Sequence, residues 1–521
     1  MKLRQFFLAS AASAVLSSAA FAEDKAAKNV ILMVSDGIGF NGWLATDYYQ
    51  GLAGTQSYQI ARPDGTTPVV YGLTHYAANL VDETGAVLTD RETSPSGAVR
   101  QSYDPATRWN AFENGQPNDF PPISQPYTGY TDSAAAGTAL MAGRKTSNGR
   151  INMDWSGELK FKTIGQIAIE TDRAAGAVAS VMVSHATPAA VIAHNVSRNN
   201  YIDIFNEMAA SDLSVIMGAG HPLFDNNGEP TEPEAEEAYN FLGGVETFEA
   251  LTSQEGLNGF EFIDSKAAFE ALAAGDAPPD RVIGVAPVGS TLQAARVDRD
   301  TGDTPSGMAF NPDVPSLATM SLGALNVLNQ DEDGFFVMIE GGAVDWMGHA
   351  NNMPRFIEEQ MDFNLAVDAV ITWVEENSNW DETLLIVTAD HETGGIWGEG
   401  TFTNGEGGPV AAERTDEALL SARYDPAEDT FNAFLAVQDN GAGNMPGYQF
   451  ASRNHTNELV PLWALGAGAE MFAEFAQTDL KAAELWGGVY NWDGRIVDNT
   501  EVFFVMQAAM GAGSDEGAAR E

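Results

Sequence analysis

The sequence predicts an α/β fold with three layers, a central and mostly parallel sheet between two layers of helices. Three observations predict it. Continuous apolar runs of four to seven residues recur along the chain, helical patterns separate them, and several runs end on acids or histidines. An apolar run without alternation is what a strand buried on both faces requires, and such strands belong to parallel sheets covered by helices.

The elements follow in order. Asn29–Ser35 (NVILMVS) is the first buried strand, and further runs lie at 177–183, 214–217, 335–339 and 384–388. Helical periodicity covers 162–171 and 355–376. Strands alternating with helices imply a doubly covered sheet. Two stretches, about 48–127 and 394–452, are rich in Gly, Asn, Asp, Thr and Pro, lack helical periodicity and are expected to be insertions in a single domain spanning 23–521.

The first 22 residues differ from the rest. Lys2 and Arg4 precede an alanine-rich apolar stretch closed by Ala20-Phe21-Ala22. This order is that of a secretory signal peptide, so the mature chain is expected in the periplasm or secreted. No later stretch is apolar for long enough to span a membrane, so no membrane partner is expected.

The 521 residues hold no cysteine and carry a formal charge of −47, or −49 without Lys2 and Arg4. Thiol catalysis, thiolate metal sites and disulfides are therefore excluded, and a transition-metal site must use His, Asp and Glu. The charge argues against nucleic-acid binding. It fits a solvated acidic surface of the kind found in proteins adapted to salt. An anionic substrate needs a strongly cationic site to enter this field, and bound metal ions supply one.

Three segments bear the residue types for such a site. In TDSAAAGT at 131–138, helix formers follow Asp132-Ser133. Ser133 is thus expected at a helix N-terminus, where free N–H groups favour an alkoxide or a phosphate. An ordinary Ser or Asp helix cap is the competing explanation of the same residues. In EGGAVDWMGH at 340–349, Asp345 and His349 are four apart and share a helix face, as either a metal grip or a solvated ion pair, and Glu340 ends the preceding strand. Asp390-His391 directly follows a buried strand, where charge is costly unless paired or metal-bound. His455, His185 and Arg198 are further candidates, Arg198 for bidentate recognition of phosphate oxygens.

Taken together, VSDGIG at 34–39, TDSAAAGT at 131–138 with GRKTSNG at 143–149, HATPAAVIAHNVSR at 185–198, EGGAVDWMGH, TADH at 388–391 and His455-Thr456 resemble the metal-dependent alkaline phosphatases of bacteria and animals, marine bacterial members included. The motifs occur in that family's order from near residue 30 to near 510. The resemblance implies the family's fold and hydrolysis of small phosphate monoesters through a covalent phosphoserine at Ser133, with Arg198 as phosphate clamp. It implies two zinc ions, one held by Asp345, His349 and His455 and one by Asp36, Asp390 and His391, which together stabilise the attacking and leaving oxygens. It also implies one magnesium ion held by Asp36, Thr187 and Glu340. His185 and Trp346 stand where the best-known bacterial pattern has Asp and Lys, so they are expected to tune magnesium affinity and phosphate release from beside the site. Nothing in the sequence excludes a homodimer.

Two alternatives are weaker. A sulfatase would need a C/S-x-P-x-R motif, whereas Ser133 is followed by three alanines; a phosphodiesterase of the same superfamily stays open as a side activity. A non-catalytic extracellular metal- or phosphate-binding protein would have no use for Ser133 beside Arg198.

Overall fold

The computed structural model describes residues 26–78, 103, 130–233, 235–399, 424–425, 430–431 and 435–512. The expected signal peptide lies outside them, as does most of 79–129 and 400–434.

Apolar burial sets the architecture. The strands are β1 (Asn29–Ser35), β2 (Val69–Thr74), β3 (Ala174–Met182), β4 (Val215–Ala219), β5 (Glu261–Ile263), β6 (Val282–Val285), β7 (Phe335–Gly341), β8 (Thr383–Thr388), then the short β9 (Glu392–Thr393), β10 (Ile396–Trp397), β11 (Tyr424–Asp425), β12 (Thr430–Phe431), β13 (Gln449–Phe450) and β14 (His455–Thr456), and finally β15 (Val460–Gly466), β16 (Gln477–Thr478) and β17 (Arg495–Asp498). Eleven of them form one sheet in the order β16-β17-β2-β15-β8-β1-β7-β3-β4-β6-β5. From β8 to β5 every pairing is parallel; β15 runs antiparallel between β8 and β2. Val30 to Val34 of β1 are wholly buried, each contributing roughly 1.5–3 kcal/mol of hydrophobic stabilisation.

Helices cover the sheet: α1 (Phe40–Gln50), α2 (Ser133–Ala142), α3 (Ile164–Glu170), α4 (Ala186–Ala189), α5 (Tyr201–Ala210), α6 (Val245–Leu251), α7 (Lys266–Ala273), α8 (Leu317–Leu328), α9 (Ala343–His349), α10 (Met353–Asn377), α11 (Leu480–Tyr490) and α12 (Asn499–Ala509). One group packs α10 with α8, α1 and α9, and α8 with α7; another packs α2 with α12 and α4. The expected strands and the helices at 162–171 and 355–376 are present with ends shifted by at most three residues.

One difference concerns 48–127. Its described part is not wholly inserted loop: it carries the end of α1, and β2 lies inside the main sheet between β17 and β15. The run VVYGLT is short and its flanks are Gly, Pro and Thr, so local composition hides a strand that tertiary pairing stabilises.

Register positions the site. Val34 of β1 pairs with Glu340 of β7 and with Thr388 of β8. Asp36 and Asp390, each two residues further on, therefore leave the carboxyl ends of neighbouring strands at one level, where open α/β sheets bind ligands.

Candidate active site

Ser133 is the first residue of α2, and Asp132 is its N-cap, accepting a hydrogen bond from the Ala135 N–H at 2.9 Å. The capping role therefore falls to Asp132 and not to Ser133. Ser133 is buried, with its hydroxyl 3.2 Å from His391 Nε2 and 3.4 Å from Asp36 Oδ2.

Around it stand two clusters. Asp36, Asp390 and His391 form one, with His391 Nε2 at 3.4 Å from Asp36 Oδ1 and 3.3 Å from Asp390 Oδ2. Asp390 is aimed by the Gly37 and His391 N–H groups, both donating to its Oδ1. Gly37 adopts φ 79°, and a Cβ there would meet the Asp345 backbone at 2.5 Å, so only glycine lets the clusters approach. Asp345, His349 and His455 form the second. Asp345 Oδ1 lies 3.4 Å from Nε2 of both histidines, which face each other at 3.1 Å.

The hydrogen bonds fix the histidine tautomers. His349 Nδ1 donates to the Arg453 carbonyl at 2.5 Å and His455 Nδ1 to the Thr131 carbonyl at 2.7 Å. A carbonyl only accepts, so each Nε2 keeps its lone pair when the ring is neutral, and the two lone pairs point at one place. Thr393 extends the logic. Its hydroxyl donates to Asp345 Oδ1 at 2.6 Å, and its oxygen lies 3.4 Å from His391 Nδ1. Thr393 therefore touches both clusters, and sequence reasoning missed it; only its position two residues after His391 signals it.

Burial strains these charges. Burial, with the charge of Asp390, pushes Glu340 up to about 8; burial, with the charge of Asp345, pushes Asp390 to about 6. Asp36 is raised too, by burial and then by Asp390, Asp345 and Glu340. Asp345 goes the other way: burial would raise it, but His349, His455 and His391 hold it well below the usual carboxylate range. Both oxygens of Glu340 and the Thr187 hydroxyl are buried without a hydrogen bond, as are Asp36 Oδ1 and Asp390 Oδ2. Acids gathered this closely, with facing imidazole lone pairs, fit cations: His and carboxylate donors for zinc, and oxygen-only donors (Asp36, Thr187, Glu340) for a harder ion.

Arg198 donates from Nη1 to Asp132 Oδ2 at 3.1 Å, and Asp132 also receives the Gly149 N–H. His185 and Trp346 stand beside this group, ring centroids 6.0 Å apart; burial first, and Arg198 second, push His185 down to about 3, so it is neutral. The structure thus brings together every residue the sequence singled out. It adds Thr393, the Thr131 carbonyl and the pairing of Asp132 with Arg198.

Comparison with known proteins gives one consistent family. A family model described as alkaline phosphatase matches residues 118–509. Alkaline phosphatase 4 of Bacillus subtilis is 28% identical over 486 residues, covering 86% of each chain. Alkaline phosphatase of Escherichia coli is 26% identical over 508 residues, 94% of this chain and 87% of its own. Among solved structures, alkaline phosphatase of Thermus thermophilus shares the fold at TM-score 0.55 and 19% identity, over 94% of this chain and 92% of its own. A mutant of the TAB5 alkaline phosphatase, described with Mg bound in its M3 site, does so at TM-score 0.55 and 22% identity, over 94% and 99%.

Proposed function

The chain belongs to the alkaline phosphatase family, whose members are metal-dependent phosphatases, and on that premise we propose that it hydrolyses phosphate monoesters to alcohol and inorganic phosphate through a phosphoserine at Ser133. The observation that carries this reading is the Ser133 hydroxyl at the α2 N-terminus, 3.2 Å from His391 and 3.4 Å from Asp36, between two clusters of metal-ligand type.

Each residue has a task. Ser133 gives up its hydroxyl proton and attacks phosphorus as the ester P–O bond breaks and the alcohol leaves with a proton; water then attacks the phosphoserine, releasing inorganic phosphate and restoring the Ser133 hydroxyl. The α2 N-terminus supplies backbone N–H groups and the positive end of a helix dipole to the phosphate oxygens. Arg198, aimed by Asp132, grips two oxygens of the phosphoryl group. Asp36, Asp390 and His391 would hold one zinc ion, Asp345, His349 and His455 another, and Asp36, Thr187 and Glu340 a magnesium ion. Such ions, when bound, stabilise the attacking and leaving oxygens as Lewis acids. His185 and Trp346 tune the surroundings of Glu340 and Arg198. The Lys2 to Ala22 pattern supports export to the periplasm or the medium, where the acidic surface suits a salt-rich milieu. Among the described residues, no helix is long and apolar enough to cross a membrane.

The test is hydrolysis of an aryl phosphate at high pH before and after chelation, with zinc and magnesium added back. Activity that vanishes on chelation and returns best with both metals supports the reading. Full activity in protein shown to be metal-free would sink it.

A further inference from the structure

We infer that Arg453 is a substrate-recognition residue, selecting phosphate monoesters whose alcohol carries a second anionic group. This rests on the monoesterase reading above.

Three observations support it. First, the Arg453 side chain is exposed on a chain of formal charge −47 and forms no ion pair among the described residues. Several other described cations are paired with acids, among them Arg62 with Glu375, Lys145 with Asp498, Arg198 with Asp132 and Arg495 with Asp493. An unpaired arginine in such an excess of acid is available to an outside anion.

Second, its loop is held firmly. The Ser452 N–H donates to the Gly394 carbonyl, Asn351 Nδ2 donates to the Ser452 carbonyl at 2.6 Å, and the Gly394 N–H donates to the Asn454 carbonyl at 3.0 Å. The Arg453 carbonyl itself receives His349 Nδ1. The base of the side chain is therefore fixed beside the second cluster, which limits the entropy lost when the guanidinium engages a ligand.

Third, the chemistry fixes what passes there. Entering and leaving oxygens lie on opposite sides of phosphorus in an in-line displacement. Ser133 attacks from the side of Asp36 and His391, so the ester oxygen faces Asp345, His349 and His455. The alcohol then continues outward past His349, whose side chain is 39% exposed and whose Nδ1 donates to the Arg453 carbonyl, so that residue 453 borders the exit. A carboxylate or second phosphate on that alcohol meets the guanidinium, with its fork of donors.

The experiment compares wild type, Arg453→Gln and Arg453→Lys on phenyl phosphate and on the ortho, meta and para carboxyphenyl phosphates, at low and high salt. For at least one isomer, Arg453→Gln should lower kcat/KM about 2–5-fold more than for phenyl phosphate, the range of an exposed charge pair. Arg453→Lys should retain part of that preference, and salt should erode it in the wild type. Equal changes for all four substrates in Arg453→Gln, or none, would overturn the assignment. Phenyl phosphate reports separately on the parent reading: a wild type that turns over none of the four esters refutes the monoesterase, not Arg453.

Discussion

One carboxylate ties the nucleophile to the phosphate clamp: Asp132 caps the helix that begins at Ser133 through Oδ1 and receives Arg198 Nη1 on Oδ2 at 3.1 Å. Burial alone would make the Arg198 charge costly; Asp132 outweighs that and favours the charged form. The helix end and the guanidinium thereby keep a fixed relation.

Asp132→Ala should therefore act on phosphate holding before it acts on chemistry. The Ki for inorganic phosphate and the KM for an aryl phosphate should both rise, about 3–10-fold for the loss of a charge-assisted contact's support. Loss of the cap should cost about 1 kcal/mol of stability. Product-inhibition kinetics and a urea melt measure the two. An unchanged Ki would show that Arg198 is aimed by something else.

Thr393 gives a second prediction. Its hydroxyl holds Asp345 and stands against His391, so it orients donors of both clusters. Thr393→Val keeps the volume and removes the donor. Metal retention should fall about 10–100-fold, as for other partners of ligating groups. Metal content after dialysis against a graded chelator reads this directly, and wild-type retention would reduce Thr393 to packing.

Chelation and pH combine in a third. Glu340, near 8, and Asp390, near 6, keep protons in the metal-free fold that the unfolded chain has already lost; burial does the same to Asp47, near 7, and to Glu359, near 8. A raised carboxyl pKa means that the folded state binds more protons, so stability falls as pH rises from about 4 to about 8. The chelated protein should lose melting temperature over that window, most steeply above about pH 6.5, because below it the buried neutral His185 and His391 oppose the acids. The metal-loaded protein should lose less, because cations neutralise the site carboxylates, while Asp47 and Glu359 still titrate. Parallel curves with and without metal would contradict the assignment of the site acids as ligands.

Much of this was readable from the residues. Uninterrupted apolar runs announced β1, β7 and β8, and the acids at their ends announced Asp36, Glu340 and Asp390, because a parallel sheet presents all those ends together. The spacing of Asp345 and His349 announced a shared helix face. What stayed hidden depends on distant contacts. β2 has a weak local signal and is stabilised by β15 and β17, whose sequences lie about 390 and 425 residues away. His455 is oriented by the carbonyl of Thr131, 324 residues earlier, and Arg198 by Asp132, 66 residues earlier. No local pattern encodes pairings between residues so far apart in the chain, and an acceptor that is a backbone carbonyl, as at Thr131, carries no residue identity either.

The central claim is the covalent step at Ser133, and rapid acid quenching during turnover of an aryl phosphate, followed by mass spectrometry of the peptides, tests it most directly. One phosphate should appear on the peptide containing Ser133 and be absent from Ser133→Ala, whose turnover should drop by at least about 1,000-fold, the scale of a lost nucleophile. Phosphate on another residue, or a phosphoenzyme that survives in Ser133→Ala, would contradict the account.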